Sequence, residues 1–121
     1  YSDCYLCFSN RDACPNAVVE SMAHGLPVVG VASGGIPDIV GDAGELVPSN
    51  DFIDGFFAAA RWEFDSSFIN FDLIYEALNK VLREPKKYRT RVERRFLEEL
   101  DIRVAAEFYT NVLRKLELEE K

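Results

Sequence analysis

The stretch Pro15-Asn16-Ala17-Val18-Val19-Glu20-Ser21-Met22-Ala23-His24-Gly25-Leu26-Pro27-Val28-Val29-Gly30-Val31 changes its hydrophobic rhythm midway, and that change decides the fold. In the first half, Val18, Val19, Met22 and Ala23 recur at helical spacing behind a proline, which suits a first helical position. Gly25 is the natural stop. The second half is a continuous apolar run with proline at its start, the pattern of a strand buried on both faces of a parallel sheet. Upstream, Cys4 to Phe8 reads as another strand, ending in the turn-rich Ser9-Asn10-Arg11-Asp12. Downstream, Ser33-Gly34-Gly35 turns the chain, Ile36 to Val40 is a helical turn, and Asp42-Ala43-Gly44 leads into a short strand from Glu45 to Val47.

Strand, helix, strand, short helix, strand is a βαβ series, so the expected class is α/β with a parallel, Rossmann-like sheet. Right-handed crossovers then place the strand C-termini on one edge. The loops at 9–16 and 32–37 leave from that edge, where open α/β sheets bind ligands. After Pro48-Ser49-Asn50 the pattern turns helical: Asp51 to about Glu63, Asn70 to Arg83, Lys86 to Leu100, and a last helix carrying Ala105, Phe108, Val112 and Leu116. Ile74, Ala77, Leu78, Val81 and Leu82 form the stripe of the second, and Asp101 reads as the N-cap of the last. Residues 1–51 thus form the βαβ part of one partial domain spanning 1–121, and residues 52–121 form its helical part.

The 121 residues are 48% hydrophobic and 29% charged, a globular composition for a single domain. The chain carries 14 Lys and Arg against 21 Asp and Glu, a net charge of −7. Nucleic-acid binding is therefore not expected, because phosphate backbones require clustered basic charge. No apolar run reaches the roughly 18 residues of a membrane span. A start at Tyr1 without a basic n-region reads as a piece of something longer, and three cysteines, an odd number with no extracellular signal, point to reduced thiols in the cytoplasm. Charge is unevenly spread: residues 1–71 hold two basic residues, Arg11 and Arg61, against ten acidic ones. Lys80 to Arg95 instead holds eight basic and two acidic residues. That stretch reads as solvated helix faces or as attraction to an anionic membrane surface at the cytosolic side.

Cys4-x-x-Cys7, with Cys14 and His24, invites a zinc reading. Side chains alternate along a strand, however, so residues 4 and 7 face opposite sides of the sheet, and small buried hydrophobes are the expectation. No metal or cofactor is expected. Residues 52–71 contain seven of the fifteen aromatics, which read as core packing or as a partner or self-association surface.

The segment Ser9-Asn10-Arg11-Asp12-Ala13-Cys14-Pro15-Asn16-Ala17-Val18-Val19-Glu20 carries the chemistry. It is a strand-to-helix loop whose helix N-terminus faces the ligand edge, and free amides plus the helix dipole there favour an anion. With Val19 taken as the centre of the buried stripe, Glu20 lies about 100° round the helix, beside Asn16. A carboxylate so placed can accept two hydrogen bonds from a vicinal diol such as a ribose.

Asp12-x7-Glu20, followed by Ser21-Met22-Ala23-His24-Gly25-Leu26-Pro27-Val28-Val29, resembles the E-x7-E segment of retaining family 4 glycosyltransferases with the GT-B fold. Gly34-Gly35-Ile36-Pro37-Asp38-Ile39-Val40 is similar to that family's G-G-x-x-E-hydrophobic stretch. Gly44-Glu45-Leu46-Val47-Pro48-Ser49-Asn50-Asp51 is similar to its G-x-L-V-P-x-x-D. The resemblance is continuous over residues 3–51; the later helices agree in pattern only, including the R-F-x-x-x-x-D-like passage from Arg95 to Asp101.

The resemblance implies the second half of a GT-B C-terminal domain, which holds the nucleoside-diphosphate sugar, followed by several C-terminal helices. It implies that Glu20 binds the ribose and that Asp12, in the catalytic position, touches hydroxyls of the transferred sugar. Asn16, Ala17 and Val18 would offer backbone amides to the sugar and distal phosphate, with Cys14 also at the donor. The acceptor would sit mainly on a separate N-terminal domain, so these residues alone are not expected to catalyse transfer. Aspartate at 12 is one methylene shorter than the family's first glutamate, and Ala13-Cys14-Pro15-Asn16 replaces a glycine-bearing loop. Asp12 as a loop cap, Glu20 as a solvated carboxylate, a non-catalytic assembly module, and a sugar-nucleotide epimerase on the same fold stand as the alternatives. With only about three strands, one sheet edge is expected to be unpaired and to invite self-association.

Overall fold

A computed structural model describes residues 2–9, 15–49 and 69–120. The helix expected from Asp51 to Glu63, and most of the aromatic segment, lie outside the described residues.

Three parallel strands, β1 (Tyr5–Cys7), β2 (Val28–Ala32) and β3 (Gly44–Pro48), form a sheet in the order β1-β2-β3. β1 is shorter than the apolar run Cys4 to Phe8. Tyr5 pairs with Val28 and its amide donates to the Pro27 carbonyl at 2.8 Å. Pro27 has no N–H to return, so the ladder cannot extend back to Cys4. β3 runs one residue further than expected at each end, pairing from Val28–Gly44 to Ala32–Pro48. Among the described residues, β1 and β3 pair on one side only.

Alternation along β2 divides the core in two. Val28 enters a cluster with Cys7, Val18, Met22, Ile36, Ile39, Val40, Ala43 and Val92. Val29 and Val31 point the other way, among Val47, Ile74, Ala77, Val81 and Tyr88. The three β2 valines are fully buried, and each such side chain contributes roughly 1.5–3 kcal/mol. Helices α1 (Asn16–Ala23) and α2 (Ile36–Val40) cover the first face, as two successive right-handed crossovers require. Helix α3 (Phe71–Arg83) covers the second.

Asn70 starts α3: its Oδ1 accepts from the amides of Asp72 at 3.1 Å and Leu73 at 3.2 Å. Ile74, Ala77 and Val81 are buried as the spacing predicts, whereas Leu78 is half-buried and Leu82 exposed. The helix expected from Lys86 to Leu100 is two elements, α4 (Pro85–Arg95) and a π-helical turn (Phe96–Leu100). The Asp101 amide closes that turn on the Phe96 carbonyl at 2.8 Å, and Leu100 packs against the first cluster. Asp101 then caps α5 (Ile102–Glu119), accepting from the Arg103 amide at 2.9 Å. α5 buries no residue; Phe108, Val112 and Leu116 of its stripe are exposed.

The basic stretch is largely occupied within the fold. Lys80 pairs with Glu45, Lys87 with Glu84, Arg91 and Arg94 with Asp42, and Arg95 with Glu99. Among the described residues no helix is long and apolar enough to cross a membrane.

Candidate functional site

Because the strands are parallel, their C-terminal ends, Cys7, Ala32 and Pro48, share one edge of the sheet. The loop into α1, the Ser33-Gly34-Gly35 turn into α2 and the connection into α3 all leave there. Pro15 caps α1 from the edge with extended backbone (φ −70°, ψ 104°), and its carbonyl accepts from the Val18 amide at 3.0 Å. The first amides of a helix have no intrahelical acceptor and carry the positive end of its dipole, which here is the end of α1 at the strand C-termini.

Asn16 and Ala17 are exposed on the first turn of α1; Val18 is fully buried and its amide is already taken by the Pro15 carbonyl, so, against the expectation, it is not a free donor at the edge. Glu20 is exposed. The inward stripe is centred on Val18 and Met22, with Ser21, rather than on Val19, which is only half-buried. A serine can lie inward because its hydroxyl donates to the Val18 carbonyl at 2.7 Å. At 100° per residue, Glu20 therefore stands about 150° from the core direction, further out than expected, still beside Asn16. Asp12 and Cys14 lie outside the described residues, as do Arg11 and Arg61, the two basic residues of the first 71.

The far end of α1 is closed by its own capping bonds. The Leu26 amide donates to the Ser21 carbonyl and Gly25, at φ +78°, donates to Met22, a Schellman ending. His24 Nδ1–H donates to the Glu20 carbonyl at 2.7 Å, which makes His24 a C-terminal cap. A groove of about 400 Å³ opens here, between Met22–Gly25 and Glu93, Phe96 and Leu97. It lies one helix length from the strand C-termini and contains none of the expected ligand residues.

Cys4 and Cys7 fall on opposite faces, Cys4 against the α3 cluster and Cys7 in the α1 cluster, so they do not form a chelating pair. Burial, and then the charge of Asp3, push the Cys4 thiol above its ordinary pKa, away from the thiolate that a metal requires. Among the described residues no three His, Cys, Asp or Glu side chains converge on a metal position.

One residue given no site role in the sequence holds the far end of α2. Arg95, at the end of α4, donates from Nε to the Ile39 carbonyl at 3.1 Å and from a terminal nitrogen to the Asp38 carbonyl. It thereby caps the C-terminal end of α2, the helix that begins at the Gly34-Gly35 turn. Its only sequence signal is its place at the head of the R-F-x-x-x-x-D-like passage.

A family model described as glycosyl transferases group 1 matches residues 1–64, a stretch that includes all three strands, α1 and α2. The chain belongs to this family. No curated protein and no solved structure matches it. The matched stretch of this group 1 glycosyl transferase also contains the strand C-termini and the turns that leave them. The π-helical turn and α5 fall outside the match, as do α3 and α4.

Proposed function

We propose that residues 1–51 form part of the nucleoside-diphosphate-sugar site of a retaining, family 4-like glycosyltransferase. The observation that carries this reading is the exposed pair Asn16 and Glu20 on the first turns of α1, at the C-terminal edge of the family-matched parallel sheet. Glu20 accepts both hydroxyls of the ribose. The amides at Asn16 and Ala17, with the dipole of α1, hold the sugar and distal phosphate and stabilise the diphosphate as it leaves. Asp12 contacts hydroxyls of the transferred sugar, and Cys14 lines the same loop. The transfer moves the glycosyl group to an acceptor hydroxyl with its anomeric configuration kept, and the reaction takes no metal. The protein works in the cytoplasm, its acceptor held mainly by a second domain.

The described edge presents no lysine or arginine of its own from the first 49 residues. Neutralising a diphosphate then falls to Arg11 and to cations from other parts of the protein, so residues 1–121 alone do not turn over donor. Calorimetric titration of the intact protein with UDP, GDP and ADP tests the reading. Glu20→Ala should weaken binding of the preferred nucleotide about tenfold, the loss of one charged hydrogen-bonding group. Unchanged affinity would remove the ribose assignment.

A further inference from the structure

We propose that Arg95 is a positioning residue for the donor site, acting through α2 on the Ser33-Gly34-Gly35 turn; the inference rests on the donor-site reading above. Three observations converge on it. The guanidinium, only 20% exposed, reaches across 56 residues of sequence to the Ile39 carbonyl and also takes that of Asp38. Both are last-turn acceptors of α2, so a cation there completes the helix end in hydrogen bonding and in dipole. Its remaining nitrogen is held by Glu99 at 2.7 Å, on the π-helical turn, which fixes the fork in place. Finally, Gly41 makes room for it. A Cβ at position 41 would lie 3.0 Å from Arg95 Cζ, and the backbone there has φ +53°.

α2 is five residues long, too short to hold its own direction by internal hydrogen bonds. Its inner side is packed through Ile36, Ile39 and Val40 into the cluster that also holds Val18 and Met22 of α1. With its C-terminal end gripped by Arg95, the other end cannot swing, and the Gly34-Gly35 turn stays level with the first turn of α1. Arg95 itself touches no reacting group. Its effect reaches the ligand as a displacement of backbone along one rigid helix.

The test is binding of UDP, GDP and ADP to the intact protein, by calorimetry, well below the unfolding temperature of every variant. Arg95→Ala should weaken the preferred nucleotide about fivefold, the size of a modest coupling through one element. Arg95→Lys keeps the charge but cannot serve two carbonyls and Glu99 together, and should fall between the two; it also stands in should Arg95→Ala not fold. Val81→Ala, which weakens the opposite core from α3 rather than from the helix that carries Arg95, should leave affinity unchanged and so reports what lost stability alone does. Wild-type affinity in Arg95→Ala or Arg95→Lys, with binding lost in Glu20→Ala, overturns the role of Arg95 and leaves the donor site standing. Equal weakening in Val81→Ala overturns it as well. Absence of binding of all three nucleotides to the unaltered protein overturns the donor reading, and this inference with it.

Discussion

Tyr88, in the middle of α4, donates its phenolic hydrogen to the carboxylate of Glu45 at the start of β3, 43 residues earlier. Tyr88 is among the most buried side chains, and Glu45 also lies 3.7 Å from Lys80 of α3. Lys87 and Arg91 stand over the tyrosine ring at 5.5 and 5.6 Å from its centroid. One carboxylate thus ties two helices to an outer strand.

Tyr88→Phe deletes the hydroxyl and leaves the half-buried carboxylate short of a partner. A hydrogen bond to a charged group is worth about 1.5–3 kcal/mol, so urea unfolding should show a loss of that size with an unchanged slope. The pH dependence has a definite sign. Burial, and then Glu45, push the Tyr88 hydroxyl up to about 12. Its stabilisation is complete below the ordinary tyrosine value near 10 and is lost as pH rises from there through about 12. Absorbance titration at 295 nm should lose its phase near pH 12 in Tyr88→Phe.

At the acid end the sign reverses. The hydrogen bond from Arg94, assisted by the charges of Arg94 and Arg91, holds the Asp42 carboxyl below its usual range. Arg103 does the same to Asp101, lowering it to about 2. Both contributions are present above the ordinary carboxylate value near 4 and are lost as pH falls through the lowered values. Asp101→Ala should lower helical circular dichroism at neutral pH and flatten its change between about pH 4 and 2.

Two glycines with left-handed backbone separate conformational from steric cost. At Gly25 a Cβ would meet nothing within 4 Å, so Gly25→Ala should cost only the backbone term, about 1–2 kcal/mol. Gly41→Ala adds a contact with the Arg95 guanidinium and should cost more. Combining it with Arg95→Ala should relieve that extra part, giving a double variant more stable than the summed single effects. Equal costs at the two glycines would show that the guanidinium simply moves aside.

The exposed stripe of α5 predicts self-association of the 121-residue chain. Phe108 is 63% exposed and Leu116 52%, on the same face as Val112. Large contiguous apolar faces on soluble chains are seldom left in water. Sedimentation should show mass rising with concentration, and Val112→Glu with Leu116→Glu should lower it. A monomer at all concentrations would argue against that association.

The parallel α/β layout was legible because each element announces itself locally: Pro27 before a valine run, Gly25 after an apolar helix, Asp101 ahead of α5. What the sequence did not disclose depends on distant partners. The inward turn of Ser21, which shifts the α1 stripe off Val19, follows from a side-chain bond to the backbone that hydrophobic periodicity cannot register. Arg95 looked like any other charge in a basic run, because its acceptors are main-chain carbonyls on another helix. The π-helical turn breaks no pattern that a helical reading tests. Glu20 and Asn16 were legible as neighbours on a helix flank, though the sequence set them closer to the core than they are.

Tyr88 and Val92 sit one turn apart on α4, yet Tyr88 belongs to the cluster under α3 and Val92 to the cluster under α1 and α2. The two sides of the sheet are therefore riveted by a single helix. Neither layer can open alone without lifting α4 away from the other, so the amides of α1 and α3 should exchange with deuterium in one shared event rather than in two.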